Sequence, residues 1–562
     1  MKKLPVGISD FKEIIEENYY YADKSLLIRD VVEIGSKAML MPRPRRFGKT
    51  LNIMMLKYFF EKTDKDFSYL FTNLAIWQEG EKYRNMQGKY PVIYLTFKDV
   101  KSSEWDECYS FMKRLIADEF SRHWYVLESG LLNEMEKDFF VRIIKLTGDT
   151  ADYQIALKKL SEYLYIYHQT KVIVLIDEYD TPIHEGYVEK YYKKIVGFMK
   201  NMLSGVLKDN TSLEKAVLTG ILRVSKESIF TGLNNFKVYS LIKNDFSTYF
   251  GLTENEVEQI IKYYTIEHEL DDIKRWYNGY IFGNHVIYNP WSIINFADSP
   301  NEGLRPYWIN TSGNALIKQL ITSSGSAIKK DIEKLIRGEK IQKSIQDDMV
   351  FDDLDKEEDV LWSFLLFTGY LKAVSVEFVD EGRWVCELQI PNREVVYFYK
   401  NTLVDWFKLS TTSTKMQAML EGLIEGEIDV FEYHFKEFVV RTMSYFDPTG
   451  EEPERVYHAF VLGMLLNLSD NYIIKSNRES GLGRYDITIM PKVKTRKAYI
   501  FEFKKVDPAR KETLEIALEK ALRQIEQKRY DIELIDAGIR SEDIIRVGVA
   551  FEGKELLMKQ ME

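Results

Sequence analysis

The chain is poor in cysteine: Cys108 and Cys386 are its only two in 562 residues, and they lie far apart in sequence. That argues against a disulfide framework and against a cysteine-built zinc site. Glycine (30) and proline (13) are also sparse, so long flexible linkers are not expected, and there is no internal repeat or low-complexity segment. No apolar run reaches the about 18–20 residues that a membrane helix needs. The N-terminus, Met1 to Ile15, starts basic but has no apolar h-region and no small-residue cleavage site, so neither a signal peptide nor a membrane partner is expected. These absences give a cytoplasmic reading. Positive charge is not in excess either, since the formal net charge is −10. That excludes a surface coated in basic groups, but not a local basic face, because charge acts locally through screening salt.

What is present is a globular composition, 45% hydrophobic and 29% charged. At roughly 100–200 residues per domain the length allows about three to five domains. Four regions separate by pattern. Residues 1–250 alternate short apolar strands with helices: Ala38–Met41, Tyr90–Leu95, Val172–Ile176 and Lys215–Gly220 are strand candidates. Runs apolar at every position predict strands buried on both faces, as in a parallel α/β sheet. Residues 251–345 read as mostly helical, with Thr253 and Glu256 forming a capping box. Residues 346–440 open on an acidic stretch, Asp347 to Asp359. A helix through Leu361–Leu366 follows, then a hairpin with Asp380-Glu381-Gly382 at its tip and a helix from Glu394, an order compatible with a winged helix. Residues 441–562 predict a helix Val456–Leu468, strands Tyr472–Ser476, Tyr485–Met490 and Ala498–Lys504, a helix Thr513–Tyr530 and a strand Ile545–Phe551.

The first chemistry-bearing segment is Arg43-Pro44-Arg45-Arg46-Phe47-Gly48-Lys49-Thr50, which follows a strand and opens a helix. That is the setting of a phosphate-binding loop. Backbone N–H groups of Arg45, Arg46, Phe47 and Gly48 at a helix N-terminus suit phosphate anions. Lys49 reaches the β- and γ-phosphates, and the Thr50 hydroxyl joins a Mg²⁺ shell. Arg43 stands where the pattern wants its first glycine. The run Val172–Ile176 ends in Asp177-Glu178: Asp177 can hold Mg²⁺ through water and Glu178 can polarise an attacking water. The plainer reading is a pair of acids ending a buried strand. Thr219 at a further strand end could sense the γ-phosphate. Arg223 reads as an arginine finger, in cis or across subunits, or as a surface arginine on a loop.

These residues resemble a bacterial AAA-type ATPase-like family. The resemblance covers residues 1 to about 300. It includes Leu4-Pro5-Val6-Gly7-Ile8-Ser9-Asp10-Phe11, Tyr20-Tyr21-Ala22-Asp23-Lys24, the loop above, Ser225–Phe230 and Trp276-Tyr277-Asn278-Gly279-Tyr280. It implies a P-loop, AAA-type parallel-sheet ATPase that binds ATP, with the arginine at the loop start as the family's normal pattern.

The second segment runs Ser476-Asn477-Arg478-Glu479-Ser480-Gly481-Leu482-Gly483-Arg484-Tyr485-Asp486, followed by Ala498–Lys504. Strand alternation puts Glu502 and Lys504 on one face and Phe501 and Phe503 on the other. A hairpin brings Asp486 beside Glu502, where two carboxylates repel unless a cation or proton sits between them. Mg²⁺, or Mn²⁺, suits such a pair. An ordinary solvated hairpin carrying Glu and Lys is the other reading of the spacing. The stretch resembles the PD-(D/E)XK nuclease superfamily, a restriction-endonuclease-like α/β fold. By that resemblance Asp486, Glu502 and Lys504 are catalytic, Glu479 adds a metal contact, and Gln524 lies near the site. Lys492, Lys494, Arg496, Lys497, Lys505, Arg510 and Lys511 form either a basic rim for phosphates or solvated lysines. His458 reads as structural, and Leu514, Leu518, Ala521 and Ile525 as helix core.

Together these readings give an ATP-binding and ATP-hydrolysing protein coupled to a Mg²⁺-dependent nucleic-acid phosphodiester hydrolase. DNA is favoured as partner, a homo-oligomer is compatible, and defence or mobile-element biology is a setting by analogy only. The alternative is a nucleotide-dependent switch whose nuclease fold binds nucleic acid without cleaving it.

Overall fold

Strands that are apolar at every position need cover on both faces, and the N-terminal sheet has it. In the computed structural model, β1 (Ala38–Pro42), β2 (Val92–Thr96), β3 (Val172–Asp177), β4 (Leu213–Gly220) and β5 (Phe236–Val238) form one parallel sheet in the order β2-β3-β4-β1-β5. β1 and β3 are buried along their whole length. The structure describes residues 1–562 except 225–235, 269, 310–313, 348–350, 355–356, 380–382, 409–412, 443–464, 466–467, 469–470, 481–482, 508–511, 553–554 and 562. For 326, 329, 333, 352, 403–408, 413–416, 438–442, 476–480 and 483–485 it describes the backbone alone. The segment Ser225–Phe230, the tip Asp380–Gly382, His458, Gly481, Arg510 and Lys511 therefore lie outside the described residues, as does most of the helix expected over 456–468.

The order of the sheet matters for chemistry. The phosphate-loop strand β1 and the acid-bearing strand β3 are not neighbours; β4 lies between them, so the end of β4 sits between loop and acids. The edge strand β2 is closed off by the helix Trp105–Arg122 and the residue after it. Glu119 accepts from Tyr94 N at 2.8 Å, while Arg122 Nη2 (2.5 Å) and His123 Nε2 (3.2 Å) meet Val92 O. These side chains occupy backbone groups that could otherwise pair with another strand.

Contacts divide the chain into two compact units, Met1–Leu320 with Lys340–Val396, and Ile321–Glu339 with Tyr397–Glu562. The first holds the parallel sheet and the capping box at Thr253, found as expected. A short hairpin, β6 (Tyr280–Phe282) and β7 (His285–Ile287), interrupts the largely helical stretch. The expected helix, hairpin and helix follow as Glu358–Phe367, β9 (Lys372–Val379) with β10 (Arg383–Gln389), and Arg393–Lys408. A third strand, β8 (Ile341–Ile345), completes an antiparallel sheet in the order β8-β10-β9. Cys108 and Cys386 are both buried and free. Among the described residues no helix is long and apolar enough to cross a membrane.

The second unit holds a mixed sheet of β11 (Tyr472–Ser480), β12 (Gly483–Pro491), β13 (Ala498–Lys505), β14 (Ile544–Glu552) and β15 (Glu555–Gln560), in sequence order. Only β13 and β14 run parallel. One face packs Tyr499, Phe501 and Phe503 with Phe431 and Phe435. The other carries the helix Leu514–Lys528. Its Ala517, Leu518, Ala521 and Ile525 are buried, as their spacing predicts.

Candidate functional site

At the end of β1 the chain turns through Arg43–Gly48 into the helix Lys49–Phe60. Arg43 does not face the loop's mouth. Its side chain is wholly buried, with the guanidinium 5.0 Å from the Phe250 ring and 5.4 Å from the Phe282 ring. Its Nη1 donates to Pro42 O at 2.7 Å and Tyr239 O at 2.6 Å. An arginine replaces glycine here because the space behind the loop is lined with aromatic faces that attract a cation. Lys49 Nζ donates to the carbonyls of Arg43 (3.0 Å) and Pro44 (2.9 Å), and burial pulls its pKa down against the charges of Glu178, Asp180 and Asp177. Arg46 stacks on Trp291 at 4.2 Å, and Arg45 O accepts from Trp308 Nε1 at 3.1 Å.

Asp177 ends β3 fully buried and is held by two hydroxyls. Thr50 Oγ1 donates to its Oδ2 at 2.7 Å and Thr219 Oγ1 to its Oδ1 at 2.6 Å. Burial raises its pKa, and the two hydroxyls oppose the rise. Glu178 follows with φ 53, a left-handed backbone that costs a non-glycine residue energy and marks functional turns. Its Oε2 accepts from Thr181 Oγ1 at 3.3 Å. Arg223 Nη1 lies 3.2 Å from Asp347 Oδ1. Beside Gly48 and Leu51 a cleft is lined by Pro5, Tyr20, Tyr21, Leu252 and Pro290 among others.

In the second unit the register Ile487↔Phe501 sets Asp486 across from Glu502. Asp486 Oδ2 accepts from Phe503 N at 2.8 Å. Glu502 is 1% exposed. Its Oε1 accepts from Lys504 Nζ (2.9 Å) and from Gln524 Nε2, which also donates to Tyr530 Oη at 3.0 Å. Its Oε2 is buried and, among the described residues, has no hydrogen-bond partner. Burial, and next the charge of Asp486, push this carboxyl up to about 8. An ionised oxygen in such a place is costly unless a cation reaches it. Among the described residues no group of three or more His, Cys, Asp or Glu gathers at one point. Mg²⁺ needs only about one or two protein carboxylates, so the pair fits it.

Residues 5–230 match a family described as Predicted AAA-ATPase, and residues 452–561 match the PD-(D/E)XK nuclease superfamily. An AAA-ATPase-like domain precedes a PD-(D/E)XK superfamily domain. A protein of Azotobacter chroococcum mcd 1, named "Uncharacterized protein in vnfD 5'region", is 27% identical over 323 residues, 57% of this chain and 56% of that protein. This chain thus spans little more than half of that relative's length.

In the AAA-ATPase-like domain Lys49, Thr50, Asp177, Glu178 and Thr219 gather at one sheet edge. The Phe47 ring is wholly buried, 5.0 Å from Tyr280 and 5.2 Å from Phe282, so the side chain packs behind the loop. The recurring N-terminal motifs are structural supports. Asp10 caps the helix Phe11–Glu16 and accepts from Tyr58 at 3.1 Å, while Lys24 pairs with Glu256 at 2.6 Å. Gly279 has φ 98, and a Cβ there would lie 2.2 Å from Pro391 O.

In the PD-(D/E)XK domain Asp486, Glu502, Lys504 and Gln524 come together. The backbone of Glu479 pairs with Arg484 on the neighbouring strand, and its side chain is not among those described. The basic rim is split. Lys492, Lys494, Arg496 and Lys497 lie in the turn at the far end of β12 and β13. Lys497 is five residues from Glu502, roughly 16 Å at about 3.3 Å per residue. Lys497 is spent on Asp543 at 2.8 Å. Lys505, exposed, is at the carboxylate end. Sequence reading missed Gly548, paired with Glu502, where a Cβ would meet Leu522 at 2.9 Å. That close approach brings the helix, and Gln524 with it, onto the carboxylate. A lone glycine inside an apolar strand is the signal that could have found it.

Proposed function

We propose that the chain binds and hydrolyses ATP in residues 1–250 and, in residues 441–562, hydrolyses nucleic-acid phosphodiesters with a divalent cation. The observation that carries the second half is Glu502: one oxygen tethered by Lys504 and Gln524, the other buried without a partner beside Asp486. That geometry supports a cation held by Asp486 and Glu502, with Glu479 as a further contact. A bound divalent ion supplies Lewis-acid stabilisation of the phosphoryl oxygens and an acidified water. Lys504 orients that water and balances charge building on the phosphate. Gln524 fixes the Glu502 rotamer.

For the first half, Lys49 would hold the β- and γ-phosphates in place of its two carbonyl acceptors, and Thr50 and Asp177 would hold Mg²⁺. Glu178 aligns the attacking water, while Thr219 and Arg223 meet the γ-phosphate. Backbone N–H groups of Arg45, Arg46, Phe47 and Gly48 take the phosphates. The cleft beside Gly48, with its tyrosine and aliphatic walls, suits a purine base. DNA is the substrate we favour.

The purified chain, incubated with DNA or RNA, Mg²⁺ or Mn²⁺, and with or without ATP, tests both halves. Cleavage that Lys504→Ala and Glu502→Ala both abolish supports the site. Cleavage that survives in both variants sinks it, and metal binding through Asp486 without any cleavage favours a non-cutting switch.

A further inference from the structure

Directly after Asp177 and Glu178 come two residues whose side chains grip another segment. Asp180 is 4% exposed, and its Oδ2 accepts from both Ile221 N (2.8 Å) and Leu222 N (2.9 Å). Tyr179 is wholly buried; its hydroxyl donates to Leu222 O at 2.7 Å and accepts from Val224 N at 3.0 Å. Its own N–H donates to Thr219 O at 3.0 Å. The turn so held leads out of β4, and Arg223 lies inside it.

We infer that Tyr179 and Asp180 are positioning residues, which aim Arg223 by fixing the backbone on both sides of it. This rests on the ATPase reading proposed above. An arginine is a long lever, and the reach of its guanidinium is set by where its backbone is anchored. Leu222 is held through N–H and C=O, and Val224 through N–H, so Arg223 cannot drift along the chain. The grip is also continuous with Glu178, whose left-handed backbone sits between a strand end pinned by Thr50 and Thr219 and a pair pinned to the turn. A shift of Glu178 therefore moves the Arg223 turn with it, and the Arg223–Asp347 ion pair reads that movement out on the segment after β8.

Steady-state ATP hydrolysis of the full chain tests this in a double-mutant cycle. Tyr179→Phe keeps the ring and removes the hydroxyl, so it carries the test where Asp180→Ala fails to fold. The expected result is a fall in kcat of about 10–100-fold, since misplacing a catalytic group by an ångström costs about 10²-fold. Affinity for a non-hydrolysable ATP analogue stays unchanged. In an Arg223→Ala background the same substitution lowers kcat no further. An equal loss in both backgrounds, or a loss that falls on affinity, overturns the inference. Arg223→Ala with full turnover, while Lys49→Ala has none, overturns it but leaves the ATPase reading intact. Turnover that survives Lys49→Ala removes the ATPase reading itself, and the inference with it.

Discussion

Asp177 and Glu502 are both buried acids, and they differ in what the fold sets around them. Asp177 has each oxygen satisfied by a threonine hydroxyl, one from the phosphate-loop helix and one from β4. Glu502 has one oxygen doubly satisfied and the other with no partner. Two hydroxyls thus satisfy the first carboxylate with no cation needed. The second is under electrostatic tension that only a proton or a cation relieves. The lesson is that two acids of one chemical class carry different dependence on metal and pH, and this is decided by the neighbours each strand pairing supplies.

Removing the charge that tethers Glu502 Oε1 should have the largest effect. Lys504→Ala is expected to lower nucleic-acid cleavage about 10²–10³-fold or more, the size seen when one preorganised electrostatic group is lost. Gln524→Ala keeps both acids but frees the Glu502 rotamer. Loss of such a supporting hydrogen bond typically costs about 10–100-fold in metal affinity. Isothermal titration with Mn²⁺ reads it, and unchanged affinity would show that the glutamine does not orient the acid. Thr219→Val should turn the first site into one of the second kind. It orphans one oxygen of Asp177, destabilising the chain by about 1–3 kcal/mol in thermal or urea unfolding. Mg²⁺ with nucleotide should restore part of that.

The pH dependence of stability offers a separate contrast between the two acids. The Glu502 carboxyl is raised in the folded chain from 4.5 to about 8. A raised pKa means the folded state prefers the proton, so this group's contribution is complete below about pH 4.5 and fades as pH rises through about 8. Metal-free wild type should therefore lose stability across that window relative to Glu502→Gln, and Mg²⁺ should flatten the difference. Parallel pH–melting curves for the two proteins would argue against the tension.

Much of this was legible in the sequence because burial on both faces leaves an unmistakable trace. Val172–Ile176 and Ala38–Met41 are strands for the same reason that they are apolar throughout. Alternation on β13 likewise gave the split between Glu502 with Lys504 and Phe501 with Phe503. Short strands of mixed residues left no such trace: β8, β15 and the β6–β7 hairpin were missed. The pairing of Arg223 with Asp347 spans 124 positions and belongs to the fold, not to any local pattern. Gly548 shows the same limit, since only the approaching helix explains the glycine.

Arg43 has a thermodynamic consequence. A glycine-rich phosphate loop is floppy until its anion arrives, and part of the binding free energy goes into ordering it. Here the loop is bolted from behind by a guanidinium between two phenylalanine rings and two carbonyls. Its conformational freedom is surrendered when the chain folds, so nucleotide binding at this loop should show a small entropic penalty by calorimetry, which Arg43→Gly should enlarge.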